Sequence, residues 1–199
     1  INDRVIMLEP GNGLRFGLDY AGKGAVSNML KHALDMPAAS MREFFRVWDW
    51  LNAKKMLGIE SLSRTIASWE TNELVRDALV SRLYSIQGSK LFTDDYKKAC
   101  RFEQMIKEHS DGAALIVGMG KTAPVVRRMA VELILNKLVE LLEQGTIPPV
   151  FLFAEEAHLY IRETHWEYII TRMRHFVIYT TFITNNPDAV DEVIYRQVD

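Results

Sequence analysis

The sequence predicts an α/β fold with a parallel sheet and an inserted layer of helices. Two observations carry this prediction: short apolar runs that alternate with helical patterns, and a long stretch in the first half of the chain that is helical throughout. Apolar runs bounded by turn residues predict strands over residues 5–8, 113–117, 150–154 and 178–184.

Helical patterns separate the last three predicted strands. Between residues 125 and 144 apolar side chains recur at helical spacing, and Gly145 and the Pro148-Pro149 pair then prevent continuation. Residues 166–175 and 187–195 predict two further helices. Strands that alternate with helices in this way indicate parallel pairing.

The segment from residue 41 to residue 107 has a helical pattern and no convincing strand. Ser61 and Asp94 precede apolar runs as helix caps do, and Gly58 and Gly88 are helix breakers. We therefore expect about four helices here, as an insertion in a single partial domain that spans residues 1–199.

Composition excludes several classes of protein. The chain has 199 residues, of which 48% are hydrophobic and 25% charged, and its net charge is −2. These values are typical of globular proteins and exclude a histone-like basic protein, and no apolar run is long enough to span a membrane. With Cys100 as its single cysteine and no signal peptide before Ile1, we expect a reducing, cytoplasmic setting.

Both ends of the sequence indicate a piece of something longer. A strand pattern begins at residue 5 without a leader, and residues 195–199 stop without a cap or tail. We expect residue 1 to be a cut within a longer protein.

Two glycine-rich segments resemble nucleotide-binding loops. Gly11, Gly13 and Gly17 miss the dinucleotide fingerprint by one residue, and residues 14–19 read as extended where that fingerprint needs a helix. We interpret them as a plain turn.

The second such segment ends in Gly120-Lys121-Thr122. A phosphate loop requires glycine five positions before Gly120, where this chain has Leu115, and Pro124 removes a further backbone amide. We favour an ordinary strand-to-helix loop.

The strongest constellation is the acidic pair Glu155-Glu156, which ends the apolar run 150–154. At the carboxyl edge of a parallel sheet, one acid can hold Mg²⁺ directly or through water while the next polarises the water that attacks a γ-phosphate. Such a run followed by acids is the Walker B pattern of additional-strand ATPases. The alternative is a helix N-terminus whose acids favour the helix dipole. We prefer the ATPase interpretation.

Polar residues around the next strand support that interpretation. Asn185 and Asn186 end the strand 178–184 and can sense phosphate, and Arg172 and Arg174 precede it. Arginine stabilises charge on a transferring phosphoryl group, from its own or a neighbouring subunit. The alternative for either arginine is a solvated basic face.

Together these motifs resemble HerA, the hexameric DNA translocase family related to FtsK and to conjugative-transfer ATPases. The resemblance is dense over 113–199 and weaker over the helical layer. It is carried by residues 155–158, 172–176, 184–187 and 195–199, with support from residues 4–9.

The resemblance implies a RecA-like phosphate-loop ATPase core that uses ATP and Mg²⁺. By this match Glu155 is the Walker B acid, which holds Mg²⁺ and nucleotide, and Glu156 is the catalytic glutamate. Asn185 takes the polar sensor position and Arg174 that of the nearby arginine, with Arg172 as a further nucleotide contact.

The resemblance also implies partners. We expect a homo-hexameric ring, without membrane association, that moves duplex DNA in end processing or defence with a partner nuclease or other effector subunit. Two alternatives stay open: a non-catalytic assembly module derived from an ATPase, and a conjugative or secretion ATPase.

The sequence departs from the family at two points. Val177 stands where the family often has glycine. The Walker A loop, which in HerA precedes the strand equivalent to residues 4–8, is not found, and we expect it before Ile1. A zinc site at His158 and His165 is not expected, because no further ligands accompany them.

Overall fold

The computed structural model describes residues 4–109, 111–159, 175–186 and 188. Within them the chain forms five strands, six α-helices and one turn of 3₁₀ helix. In chain order these elements are β1 (Val5–Pro10), β2 (Gly13–Leu14), α1 (Leu18–His32), α2 (Ala38–Ala53), α3 (Ile59–Ala67), α4 (Glu73–Ser89), α5 (Phe102–Lys107), β3 (Ala114–Val117), α6 (Pro124–Glu143), β4 (Val150–Glu155), the 3₁₀ turn (Ala157–Leu159) and β5 (Ile178–Ile183).

All of the strand pairs in the two small sheets are parallel. The first sheet has the order β2-β1-β3, and the second consists of β4 and β5. The predicted α/β class with a parallel sheet is therefore confirmed. The four predicted strands appear as β1, β3, β4 and β5, with ends that differ from the prediction by at most two residues.

Helix α6 covers one face of the β4-β5 pair. Val131 and Leu135 of α6 pack with Ala154 of β4 and Ile178 of β5 in one buried cluster. The predicted helix over residues 125–144 is confirmed within one residue at each end. The opposite face of this sheet carries exposed aromatic side chains, including Phe151, which is 71% exposed.

The helical layer contains the four helices that the sequence predicts, α2 to α5. Its predicted boundaries are partly wrong. Helix α3 begins at Ile59 after Gly58 and not at Ser61, and α4 runs through Gly88 to Ser89. Asp94 begins no helix of its own. Its carboxylate instead accepts hydrogen bonds from the backbone N–H groups at the start of α3.

Helix α1 contradicts the expectation that residues 14–19 are extended, because it begins at Leu18. It contains Gly22, whose φ of 81° interrupts the helical geometry. α1 packs along α6 and contributes buried residues such as Val26 and Met29 to the main core. That core also includes Leu8 of β1 and Leu62 of α3, so the first sheet and the helical layer share it.

Several predictions fall outside the described residues. These are the predicted helices at 166–175 and 187–195 and the segment 195–199. Of these residues the structure describes only His175 and Asp188. Whether residues 41–107 are an insertion in a larger domain stays a prediction. Among the described residues no helix is both long and apolar enough to cross a membrane.

Candidate functional site

The candidate acids lie at the edge of the sheet where β4 and β5 both end. Glu155 is the last residue of β4, and its Cα is paired in register with that of Ile183, the last residue of β5. Glu156 and Thr184 are therefore the first residues beyond the two strands. Asn185 follows Thr184, so the structure brings Glu155, Glu156 and Asn185 to the same sheet edge.

These three polar residues are exposed, while the backbone that carries the acids is anchored. Ala154 is 4% exposed and Ala157 is fully buried, and they flank the acidic pair. Glu155, Glu156 and Asn185 all reach solvent. Both carboxylates are therefore accessible from solvent at this edge.

Glu156 has an unusual backbone conformation. Its φ is 52°, in the left-handed region that residues with a side chain adopt at a cost of about 1–2 kcal/mol. The 3₁₀ turn Ala157–Leu159 follows directly, and the backbone N–H of Leu159 donates a 2.9 Å hydrogen bond to the Glu156 carbonyl oxygen. The chain thus leaves β4 abruptly at Glu156.

His158 connects the ends of the two strands. Its Nδ1 lies 2.9 Å from Thr184 Oγ1, and its Nε2 lies 3.4 Å from Glu156 Oε2. From the sequence, His158 is considered as a zinc ligand, and neither of these contacts is predicted. Thr184 was missed as a functional residue, since its proximity to His158 follows from the parallel register of two strands distant in sequence.

Arg172 and Arg174 lie outside the described residues, as does His165.

The Gly120-Lys121-Thr122 segment forms an ordinary loop between β3 and α6. Phosphate-binding nests use alternating right- and left-handed backbone conformations, and no residue from 118 to 123 has a positive φ. The Glu9 side chain also lies against Gly118, 3.4 Å from where a Cβ would be. A carboxylate there disfavours a phosphate, which agrees with the interpretation made from sequence.

The first glycine cluster also forms a turn. The backbones of Glu9 and Asn12 exchange two hydrogen bonds of 2.8 Å, and Gly11 and Gly13 have φ values of 82° and 81°. Helix α1 starts after these glycines, but Asp19 places a carboxylate in the first turn of α1. This charge disfavours a dinucleotide phosphate at the helix N-terminus.

A cavity of about 490 Å³ lies elsewhere, between α1 and α6. It is lined by small residues of α1 and by Asn28, Asn136 and Glu140, and the Asn28 amide donates a 2.7 Å hydrogen bond to Asn136. Neither Glu155 nor Glu156 lines it. The candidate site is an exposed sheet edge and is separate from this cavity.

Carboxylates such as Glu155 and Glu156 are ligands that Mg²⁺ accepts. In the part of the chain that the structure describes, no three His, Cys, Asp or Glu residues are grouped closely enough to hold a metal ion. Mg²⁺ commonly takes one or two carboxylates and completes its shell with water and substrate phosphates. Exposed Glu155 at a strand end suits that role.

Comparisons with protein-family models, with curated proteins and with solved structures give no match to this chain.

Proposed function

We propose that this chain is part of a RecA-like motor ATPase that resembles HerA and drives the movement of duplex DNA. The observation that carries the proposal is the register of β4 and β5. It places two adjacent carboxylates beside an amide-bearing loop at the carboxyl edge of a parallel sheet. This is where open α/β sheets bind ligands.

The two acids have different roles in this proposal. Glu155 ends the strand and holds Mg²⁺, which neutralises charge on the transferred phosphoryl group when nucleotide is bound. Glu156 orients and polarises the attacking water. Its left-handed backbone turns the chain away from the strand direction directly after Glu155.

Asn185 is the group that contacts the γ-phosphate in this proposal. Arg172 and Arg174 supply positive charge, either of them from its own or a neighbouring subunit. The phosphate-binding loop is expected outside residues 1–199, because neither glycine-rich segment within them has the geometry for it. Assembly as a hexamer, a DNA channel and an effector such as a nuclease complete the proposal.

The test is the Glu156→Gln variant of the full-length protein, compared with Glu70→Gln. Both changes remove one exposed carboxylate, and Glu70 lies between α3 and α4 in the helical layer. Loss of the carboxylate that acts on water is expected to lower ATP hydrolysis at least about tenfold. Glu70→Gln should retain the rate, and sedimentation velocity should show unchanged assembly of both variants.

A second candidate is the non-catalytic assembly module. The observation that favours it is the apolar face of the β4-β5 sheet, where Phe151 and Tyr179 stack with ring centroids 5.1 Å apart while both remain more than half exposed. Exposed apolar surface of this kind often marks an interface. A full-length protein that assembles but hydrolyses no ATP would favour this function.

A further inference from the structure

A chain of three side chains links the loop after β5 to the acid after β4. Thr184 Oγ1 accepts a 3.0 Å hydrogen bond from the backbone N–H of Asn186 and lies 2.9 Å from His158 Nδ1. The other imidazole nitrogen, Nε2, lies 3.4 Å from Glu156 Oε2. These contacts therefore connect the Asn186 backbone, through Thr184 and His158, to Glu156.

One placement of the hydrogens on these three side chains gives every donor an acceptor. The Thr184 hydroxyl has one hydrogen and two lone pairs. It accepts from the Asn186 amide and can donate its own hydrogen to a bare Nδ1 of His158. The neutral imidazole then carries its hydrogen on Nε2, on the side that faces the Glu156 carboxylate.

Burial keeps this arrangement in place. The His158 side chain is 15% exposed, whereas that of Glu156 is 51% exposed. The imidazole is thus largely enclosed and has a partner at each nitrogen. Glu156 has a left-handed backbone conformation, and its carboxylate Oε2 lies within ion-pair distance of the His158 ring.

We propose that His158 is a positioning residue that ties the Glu156 carboxylate, through Thr184, to the loop 184–186. This role rests on the proposed function, in which Asn185 contacts the γ-phosphate. A contact that pulls on the loop moves the Thr184 hydroxyl, changes the hydrogen bond to His158, and so changes where Glu156 is aimed. Hydrolysis is thereby coupled to correct seating of the phosphate.

Four substitutions test the contact of His158 with Thr184 separately from its contact with Glu156. Thr184→Val removes the hydroxyl at nearly constant volume, and Thr184→Ser keeps it. His158→Asn places its amide near the position of Nδ1 and so retains the contact with Thr184. His158→Gln places its amide near the position of Nε2 and so retains the contact with Glu156. None of the four replaces a residue that touches nucleotide in the proposal.

The first measurement is the ¹⁵N spectrum of the His158 imidazole in the full-length protein without nucleotide. We expect the Nε2–H tautomer in the wild-type protein. Thr184→Val should shift the Nδ1 resonance, and Thr184→Ser should leave it close to wild type. This measurement does not depend on ATP hydrolysis.

The second measurement is the steady-state rate of ATP hydrolysis. Loss of one positioning hydrogen bond should lower kcat about three- to tenfold in Thr184→Val, with KM for ATP unchanged. Thr184→Ser should retain kcat. In a His158→Gln background, where the contact to Thr184 is already broken, Thr184→Val should lower kcat no further.

Two results would overturn this role for His158: an unchanged His158 spectrum in Thr184→Val, or an equal effect of Thr184→Val on kcat in the wild-type and His158→Gln backgrounds. A wild-type protein that hydrolyses no ATP would overturn the proposed function and this role with it. If the His158 resonances still shift in Thr184→Val, the failure lies with the ATPase proposal and not with the contact.

Discussion

Tyr20 Oη donates a 2.6 Å hydrogen bond to Glu103 Oε2, which joins α1 to α5 across 83 residues of sequence. The same phenolic oxygen accepts a 2.9 Å hydrogen bond from the backbone N–H of Phe102. The ammonium group of Lys137 on α6 lies 4.1 Å from the centre of the Tyr20 ring. Tyr20 therefore links three helices of the main core.

Removal of the Tyr20 hydroxyl should destabilise the protein. Tyr20→Phe leaves the buried Phe102 N–H without its acceptor and breaks a bond to a carboxylate, so the free energy of unfolding should fall by about 1.5–3 kcal/mol. Urea unfolding measures this change. Tyr84→Phe, at a side chain that is 72% exposed, is the matched control and should have little effect. Equal effects of the two variants would contradict the role of Tyr20.

Stability should fall at alkaline pH because of two buried groups. Burial raises the pKa of the Cys100 thiol from 9.0 to about 11. Burial, followed by the hydrogen bond to Glu103, raises the pKa of Tyr20. Both groups ionise more readily in the unfolded chain. The stability that they contribute to the folded protein is therefore fully present below pH 9 and is lost as the pH rises toward the pKa of each group in the folded state.

For Cys100 the loss between pH 9 and pH 11 should be about 2–3 kcal/mol. Urea unfolding at a series of pH values measures it, and Cys100→Ala should show a shallower decline than the wild-type protein. Parallel declines in the two proteins would show that the thiol is not the cause.

Asp94 should stabilise α3 although it lies 35 residues from the start of that helix. Asp94 Oδ1 accepts a 2.7 Å hydrogen bond from the Ile59 N–H, and Oδ2 accepts one of 3.1 Å from the Glu60 N–H. Asp94→Asn replaces one acceptor with a donor, and the free energy of unfolding should fall by about 1 kcal/mol. Asp77→Asn, an exposed position on α4, removes the same charge and should be neutral. A neutral Asp94→Asn would refute this cap.

Val177 has a backbone conformation that favours glycine. Its φ is 57°, in the left-handed region where a β-branched residue is strained. Val177→Gly should raise the free energy of unfolding by about 0.5–1 kcal/mol, since relief of strain exceeds the added flexibility of the unfolded chain. In urea unfolding, the free energy of unfolding of Val177→Ala should lie between those of the wild-type protein and Val177→Gly. Destabilisation by glycine would contradict the prediction.

The parallel strands and α6 could be predicted from sequence because their patterns are local. Apolar runs bounded by turn residues mark the strands, and apolar residues at helical spacing mark α6. Helix α1 was missed because residues 14–19 read as extended after a glycine-rich turn, whereas tertiary packing against α6 stabilises a helix from Leu18.

Contacts between distant residues were not predictable in the same way. Asp94 reads as the cap of a following helix, yet it caps a preceding one, because its carboxylate lies within 3.1 Å of two backbone N–H groups of α3. The acids Glu155 and Glu156 are candidates because they follow an apolar run, and their roles stay predictions. The link of Glu156 to Thr184 through His158 requires the register of two strands, which a single sequence does not specify.

The most direct measurement is the steady-state rate of ATP hydrolysis by the full-length protein, with and without Mg²⁺ and with and without linear duplex DNA. The motor proposal predicts hydrolysis that requires Mg²⁺, is accelerated by duplex DNA, and is lost in Glu156→Gln while assembly persists. A Glu156→Gln variant that hydrolyses ATP at the wild-type rate, or a wild-type protein with no hydrolysis under any of these conditions, would contradict it.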